Sequence, residues 1–518
     1  VKQLGLHNDI GLIDPSEGST CKIGMTPSTC FLLLSLLLLS SSTRGVQDHE
    51  EGFISITISD KGLDFAKDIL IDQAVDSITL SQLPEIEETV QVPLVGKANV
   101  VLSEITINDI QVNSSSVNTG ETGITVVVSG ATANLSLKWR YSVSSWLVPI
   151  GISDSGTATA EVNDLQVGLT VNLTNQEGTL KLLLLDSGCH VRDLSIKLHG
   201  GAAWLYQVLV DAFAGSIASG VEEAVSDQIN EGISTLDVLL QSLPKTFPID
   251  ETAALNVSFV NNPELSDSAI ELQINGLFIG RNEILSPQGY RRGSDVSVSG
   301  ANASPKMITI SLHENVFKSA SLVYFTADTL KWTVDELPDQ NLLNTAEWRF
   351  LIPQLYKQYP NDDMNLDVFV SSPPDIQVTN KDVGVQISID IILNVLEAGE
   401  VVPVACISVD FSASCAAEII GNNLAGWLKL NKFSTYLKWS KIGKLHLNLI
   451  QSVTSAVLKT VLIPYLNSQL VRGIPLPILN DFALDNARIL YAPPWITVSS
   501  DVSFLGHYHH KHLPAYVS

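Results

Sequence analysis

The stretch "GGAAWLYQVLVDAFAGSIASGVEEAVSDQINEGISTLDVLLQSL", residues 200–243, restricts the fold more than any other. Leu205, Val208, Leu209, Ala212, Ile217, Val221, Ala224, Val225, Ile229, Ile233, Leu236 and Leu240 recur at helical spacing and form one wrapping apolar stripe. The spacing predicts a helix of about 40 residues, roughly 60 Å at 1.5 Å per residue, where an ordinary globular helix has about 11–12. Such a helix has to lie along an elongated sheet or inside a curled one.

The flanking sequence supplies sheet. "FISITIS" (53–59) alternates apolar and polar residues, and "DKGLDFAKDILIDQAVDSI" then shifts to helical period, with Leu63, Ala66, Leu70 and Ala74 on one face and Asp60 placed as N-cap. From about Val90 to Asp186 the chain returns to strands, among them "ITVVVSG", "NLSLKW" and "TATAEVNDLQVGLTVNL", separated by glycine and Ser/Asn clusters as in an antiparallel meander. Pro244, Pro248 and "NNPELSDS" mark a changeover. The second half then repeats the order: strands, a helical stretch "LNLIQSVTSAVLKTVLIPYLNSQL" (447–470), "RGIPLPILN" and closing strands. The repeat lies in the order of elements and has no residue-level counterpart.

Composition narrows the functions. With 45% hydrophobic and only 16% charged residues, the chain is poor in solvated helix faces, against a typical ~25% charged. A net charge of -25 excludes the basic footprint that nucleic acid needs and disfavours long-range attraction to anionic membranes. A lipid partner has to be held by apolar burial. No GxSxG elbow, HExxH, P-loop or GxGxxG-to-helix arrangement is present, so no enzyme is read here and no catalytic residue is assigned.

"MTPSTCFLLLSLLLLSSSTRGVQ" has an apolar run, Phe31 to Leu39, bounded by small polar residues, which predicts a signal peptide at 25–45 cleaved near Gly45. The run is shorter than the ~20 residues of a membrane span. Residues 1–24 are then expected to be an upstream extension. Five sequons, at Asn113, Asn134, Asn172, Asn256 and Asn302, agree with a secreted glycoprotein, in the apoplast if the source is a plant. Asn134, Asn172 and Asn256 sit on the polar phase of alternating stretches. Of the cysteines after the signal, Cys406 and Cys415 share one alternating stretch on opposite faces, about 30 Å apart if extended. Free thiols are therefore expected. His507, His509, His510 and His512 are dense enough to bind metal, but no supporting carboxylate lies near, and no metal site is assigned.

"ISITISDKGLDFAKD", "LSEITINDIQV", "SGATANLSLKWRY", "GGAAWLYQVLVDAF", "VSDQINEGI", "SLHENVFKSASLVYF", "YPNDDMNLDVFVSSPP" and "NSQLVRGIPLP" fall in an order that resembles the bactericidal/permeability-increasing and lipopolysaccharide-binding protein family, its plant members in particular, over about residues 53–504. The resemblance implies an α+β fold: an elongated boomerang of two domains, each a twisted antiparallel barrel-like sheet wrapped on a long helix, joined by a central sheet. It implies an N-terminal barrel at 46–245, linker and central-sheet strands at 246–285, a C-terminal barrel at 286–470, closing central-sheet strands at 471–504 and an irregular tail at 505–518. It also implies an apolar pocket in each domain that holds phospholipid, with no other cofactor. Leu63, Ala66, Leu70, Val208, Ala212, Ile217 and Val221 are the helix residues expected to line these pockets.

In the family's animal members a run of basic residues at the N-terminal tip meets the phosphates of bacterial lipopolysaccharide. The matching stretch here is "LKWRYSVSSWLVPIG" (137–151), where only Lys138 and Arg140 are basic. Residues 46–245 carry 9 basic and 26 acidic residues, a net -17. The tip is therefore expected to work by apolar insertion of Trp146, Leu147, Val148 and Ile150 beside those two charges, with Trp139 in the core. The family's disulfide pairs a cysteine matching Cys189 with a helix position matching Asn230, so Cys189 is expected to be unpaired.

The function expected is that of a secreted, monomeric lipid-binding protein that takes phospholipid and lipopolysaccharide in innate defence, with a membrane receptor as a further partner. The alternatives are a lipid carrier or transfer protein without lipopolysaccharide sensing, and a structural or receptor-partner module with lipid only as core filler.

Overall fold

The computed structural model describes residues 51–505 except 93–95, 146–147, 201–205, 282–289, 292–305, 336–342, 351, 444, 446–449, 452–453, 456 and 479–480. Antiparallel sheet dominates, with helices α1 (Asp60–Ile78), α2 (Tyr206–Gln241), α3 (Glu314–Thr326), α4 (Pro353–Gln358) and α5 (Ile463–Leu470) laid against it.

In the N-terminal half, the long strands Gly96–Gln111, Gly123–Ser145, Val148–Gln176 and Thr179–His199 pair in sequence order as the body of a seven-stranded sheet. Alternation along Gly123–Ser145 sorts its faces. Leu135, Leu137, Trp139 and Tyr141 are buried, and Lys138 and Arg140 are exposed. α2, 36 residues and about 54 Å long, runs beside Thr179–His199 and buries Phe213, Ile217, Val221 and Val225 against the sheet. The sheet stays open rather than closing on itself, and α2 covers its edge. The Asp237 carboxylate accepts from the Leu182 N–H at 2.9 Å, and Glu222 accepts from the Val191 N–H at 2.7 Å. Edge amides that would otherwise seek another strand are thereby satisfied.

A six-stranded central sheet takes strands from distant parts of the chain, in the order Glu264–Ser266, Ala269–Ile274, Ile54–Ser59, Ile308–His313, Trp495–Phe504, Phe482–Ala492. The strand Ile54–Ser59, expected in the N-terminal barrel, lies in the middle of it, with Ile56 opposite both Leu272 and Ile310. Both Ile54–Ser59 and Ile308–His313 run straight into a helix, α1 and α3, so the internal duplication extends to the opening of each half. The cap of α1 is Ser59, whose hydroxyl accepts from the Gly62 N–H at 3.4 Å, with Asp60 as the first helical residue rather than the cap.

The C-terminal half is a second open seven-stranded sheet, ordered Lys331–Val334, Asp363–Val370, Val383–Glu397, Glu400–Ile420, Asn423–Ser440, Ile474–Pro475, with Asp375–Val378 also on Val383–Glu397. The single helix expected over 447–470 is interrupted. Leu458–Leu462 is a π turn in which the Ile463 N–H reaches back five residues to the Leu458 carbonyl, and α5 follows. Pro464 is the cause, since it has no N–H and its ring crowds the carbonyl four residues earlier.

Candidate functional site

The π turn forms one wall of a cavity in the C-terminal half. It encloses about 450 Å³ between sheet and helix, walled by Trp332, Val334, Val368, Ile389 and Ile391 from the strands and Val457, Leu458, Val461, Leu462 and Tyr465 from the helix, with Thr333 and Asp335 completing it. Leu458 and Ile389 are almost fully buried, whereas Tyr465 and Asp335 are exposed. Trp332 and Tyr465 meet edge to face at 5.4 Å. Among the described residues the lining contains no lysine or arginine. The chemistry is that of an apolar slot; Thr333 alternates away from Trp332 and Val334, and its hydroxyl donates to Asp367 at 2.8 Å.

The N-terminal half differs. Between its sheet and α2 the corresponding gap is about 10 Å³, lined by Val100, Leu102, Leu137, Trp139, Ile196, Leu198, Val210, Phe213 and Ile217. The Trp139 indole fills it. Its ring stacks on Tyr141 (6.0 Å, 7°), and its Nε1–H donates to the Thr157 carbonyl at 3.0 Å. Gly156 lies under the ring, where an added Cβ would stand 2.7 Å from Trp139 Cζ2 and 2.3 Å from the His199 carbonyl oxygen. Among the described residues the space between sheet and helix is open in the C-terminal half and narrow in the N-terminal half.

Of the helix residues expected to line pockets, Ile217 borders the small gap, and both Ile217 and Val221 are packed core. The side chains of Val208 and Ala212 lie outside the described residues. Leu63 is buried in the central cluster. Ala66 and Leu70 are a correction: both face solvent, Leu70 at 43% exposure. The buried face of α1 runs through Gly62, Leu63, Lys67 and Ile78. Lys67 takes the position a hydrophobe was expected to hold. Its stem is buried while its ammonium is held by Asp64 at 2.7 Å and Asp68 at 2.9 Å.

At the tip, Lys138 is engaged by Glu104 at 2.7 Å, an exposed pair of the kind worth about 0–1 kcal/mol. Ser145 is in register with Val148, and Trp146, Leu147 and the side chains of Val148 and Ile150 lie outside the described residues. Among the sequons, Asn113 and Asn134 are exposed, while Asn172 and Asn256 are half-buried with their Oδ1 atoms accepting from the N–H groups of Leu173 and Ser258. Asn302 and the four histidines of 507–512 lie outside the described residues.

Cys189, Cys406 and Cys415 are free thiols, as expected, each pushed up to about 11 by burial. The α2 residue that meets the strand at Cys189 is Glu222, not Asn230, which is exposed eight residues further on. Among the described residues no helix is long and apolar enough to cross a membrane.

Family models match nearly the whole described chain. The LBP / BPI / CETP family N-terminal domain matches residues 62–236 and its C-terminal domain matches residues 248–504. A BPI/LBP family protein of Arabidopsis thaliana is 45% identical over 485 residues, covering 93% of this chain and 98% of the relative. The bactericidal permeability-increasing protein of Sebastes schlegelii is 26% identical over 88% of this chain and 95% of its own length. A crystal structure of lipopolysaccharide-binding protein superposes with a TM-score of 0.60 at 21% identity, covering 88% of this chain and all of that one, a likeness of fold.

Proposed function

Because this chain belongs to the LBP/BPI/CETP family, we propose that it binds the acyl part of a phospholipid-like amphiphile in the cavity of its C-terminal half. The observation that carries this reading is the cavity: its 450 Å³ falls within the ~300–1,000 Å³ of small-molecule sites, and its walls are apolar on both the sheet and the helix side. Each methylene buried there contributes about 0.8 kcal/mol.

The reading extends to lipopolysaccharide, another acylated amphiphile, which relatives of this chain are named for binding. It places the protein outside the cell in innate defence, supported by the apolar N-terminal run and the sequons. Catalysis has no part in it. A second reading, a lipid carrier without lipopolysaccharide sensing, is favoured by the -17 charge of residues 46–245 and by the carboxylate of Glu104 already on Lys138.

The test is solvent extraction of the purified mature protein followed by mass spectrometry. About one lipid per chain is expected, and a folded protein that yields none would remove both readings. Displacement of that lipid by lipopolysaccharide supports the first reading, and failure to displace it leaves the carrier.

A further inference from the structure

The outward face of the strand Asn423–Ser440 carries a line of residues unlike the rest of this acidic chain. Pairing with Glu400–Ile420 sets which side chains point away from the core: Trp427 opposite Ala416, Lys429 opposite Ser414, Lys432 opposite Ser412, Tyr436 opposite Ser408 and Trp439 opposite Cys406. The inward set, Leu428, Leu430, Phe433 and Leu437, packs in the C-terminal core. Two irregularities in the register, one of them between Ser412 and Ala413, keep Lys432 on the outward side despite its odd spacing from Lys429.

Three of the six exposed aromatic residues of the described chain lie on this one strand face: Trp427 (47%), Tyr436 (49%) and Trp439 (36%). Residues 423–441 hold four lysines and no acid, in a chain of net charge -25. Lys438 is held by Asp390 at 2.6 Å, and Lys441 lies over the Trp439 ring at 5.6 Å. Lys429 and Lys432 face serines across the strand and have no carboxylate at ion-pair distance among the described residues. Their charge is available to a partner.

We infer that this face is a docking surface for an anionic lipid bilayer. Tryptophan and tyrosine with lysine beside them are the residues that sit at headgroup depth, ring in the apolar boundary and ammonium on the phosphates. The aromatics are spread along about 40 Å of extended strand, whereas a protein partner is anchored by a few large side chains gathered at the centre of a patch. The face also carries Asp410, exposed opposite Ser434 and accepting from the Ser388 hydroxyl at 2.6 Å, so its four lysines stand against Asp410 and Asp390; carboxylates beyond about 8 Å are screened at physiological salt. The surface is separate from the cavity, and the inference does not depend on the ligand proposed for it.

Flotation of the full mature chain with vesicles tests it. Wild type is expected to float with phosphatidylcholine vesicles containing a quarter phosphatidylglycerol, not with phosphatidylcholine alone, and to be released by 0.5 M salt. Each lysine near an anionic surface is worth about fivefold in partitioning, so Lys429→Gln with Lys432→Gln should weaken binding about 30-fold. Trp427→Ser with Tyr436→Ser should weaken it at low salt, where wild type is bound. All four positions are exposed, so circular dichroism and melting temperature should match wild type. Equal binding to both vesicle types, no binding to either, or folded variants that bind as wild type does would overturn the inference.

Discussion

Replacing Trp139 with alanine should open the N-terminal half, and the structure sets the scale. The indole is 2% exposed and is among the largest fully buried side chains of the described residues. Its removal loses apolar burial, leaves the gap between sheet and helix unfilled and takes a donor from the Thr157 carbonyl. Trp→Ala changes of this kind cost about 3–5 kcal/mol. The space left joins the existing 10 Å³ gap and reaches on the order of 150 Å³, the size at which an engineered apolar cavity takes up benzene. The assay is thermal unfolding of Trp139→Ala with and without indole. A lowered melting temperature, partly restored by millimolar indole that leaves wild type unchanged, is expected. A loss below about 1 kcal/mol, or no rescue in a folded variant, would refute the claim that Trp139 is what fills this half.

Two other outcomes follow from single sites. Ile391→Trp puts an indole into the C-terminal cavity from its sheet wall and should cut co-purifying lipid severalfold at a stability cost of about 1–3 kcal/mol; mass spectrometry of the extract checks it, and unchanged lipid content would place the ligand elsewhere. Asp501, bonded to Lys306 at 2.7 Å and Lys61 at 2.8 Å, is lowered to about 2 from the ordinary 3.8, chiefly by those two hydrogen bonds. Its stabilisation is complete above pH 3.8 and is lost as pH falls through about 2, roughly 1 kcal/mol after solvent screening; Asp501→Asn should flatten that limb of an acid-unfolding curve.

Much of this architecture was legible in the sequence, where patterning and burial agree. The alternation in "LKWRYSV" sorted Trp139 inward and Arg140 outward, and the long stripe after Gly200 marked α2. The misreadings have physical causes. Lys67 occupies a buried position because two neighbouring carboxylates hold its ammonium, and a hydrophobic pattern assigns such a position to the wrong residue. α3 was not read as a helix because its buried face carries Ser319 and Ser321. The Ser319 hydroxyl donates to the Val316 carbonyl and accepts from the Phe278 N–H, so the helix buries polar side chains that are already satisfied. Residues 447–470 were read as one helical stretch with no weight given to Pro464, and only the structure places the π turn ahead of it on a cavity wall. The net charge pointed away from membranes because it averages over the chain; the lysines of 423–441 stand out only when strand pairing puts them on one face.

Each helix is tied to its sheet in its own way. In both halves a helix side chain satisfies the backbone of an edge strand. In the N-terminal half Glu222 and Asp237 do so 15 residues apart, about 22 Å along α2, so that helix is anchored to the strand at two separated points. In the C-terminal half Asn467 of α5 both accepts from the Leu428 N–H at 2.7 Å and donates to the Leu428 carbonyl at 3.1 Å, two bonds at one point. The helix before it widens at the π turn ahead of Pro464, and the space beside Leu458 and Val461 stays open. A duplicated plan thus yields one half packed by its own tryptophan and one half with room for a ligand. The π turn ahead of Pro464 lies on the wall of that room.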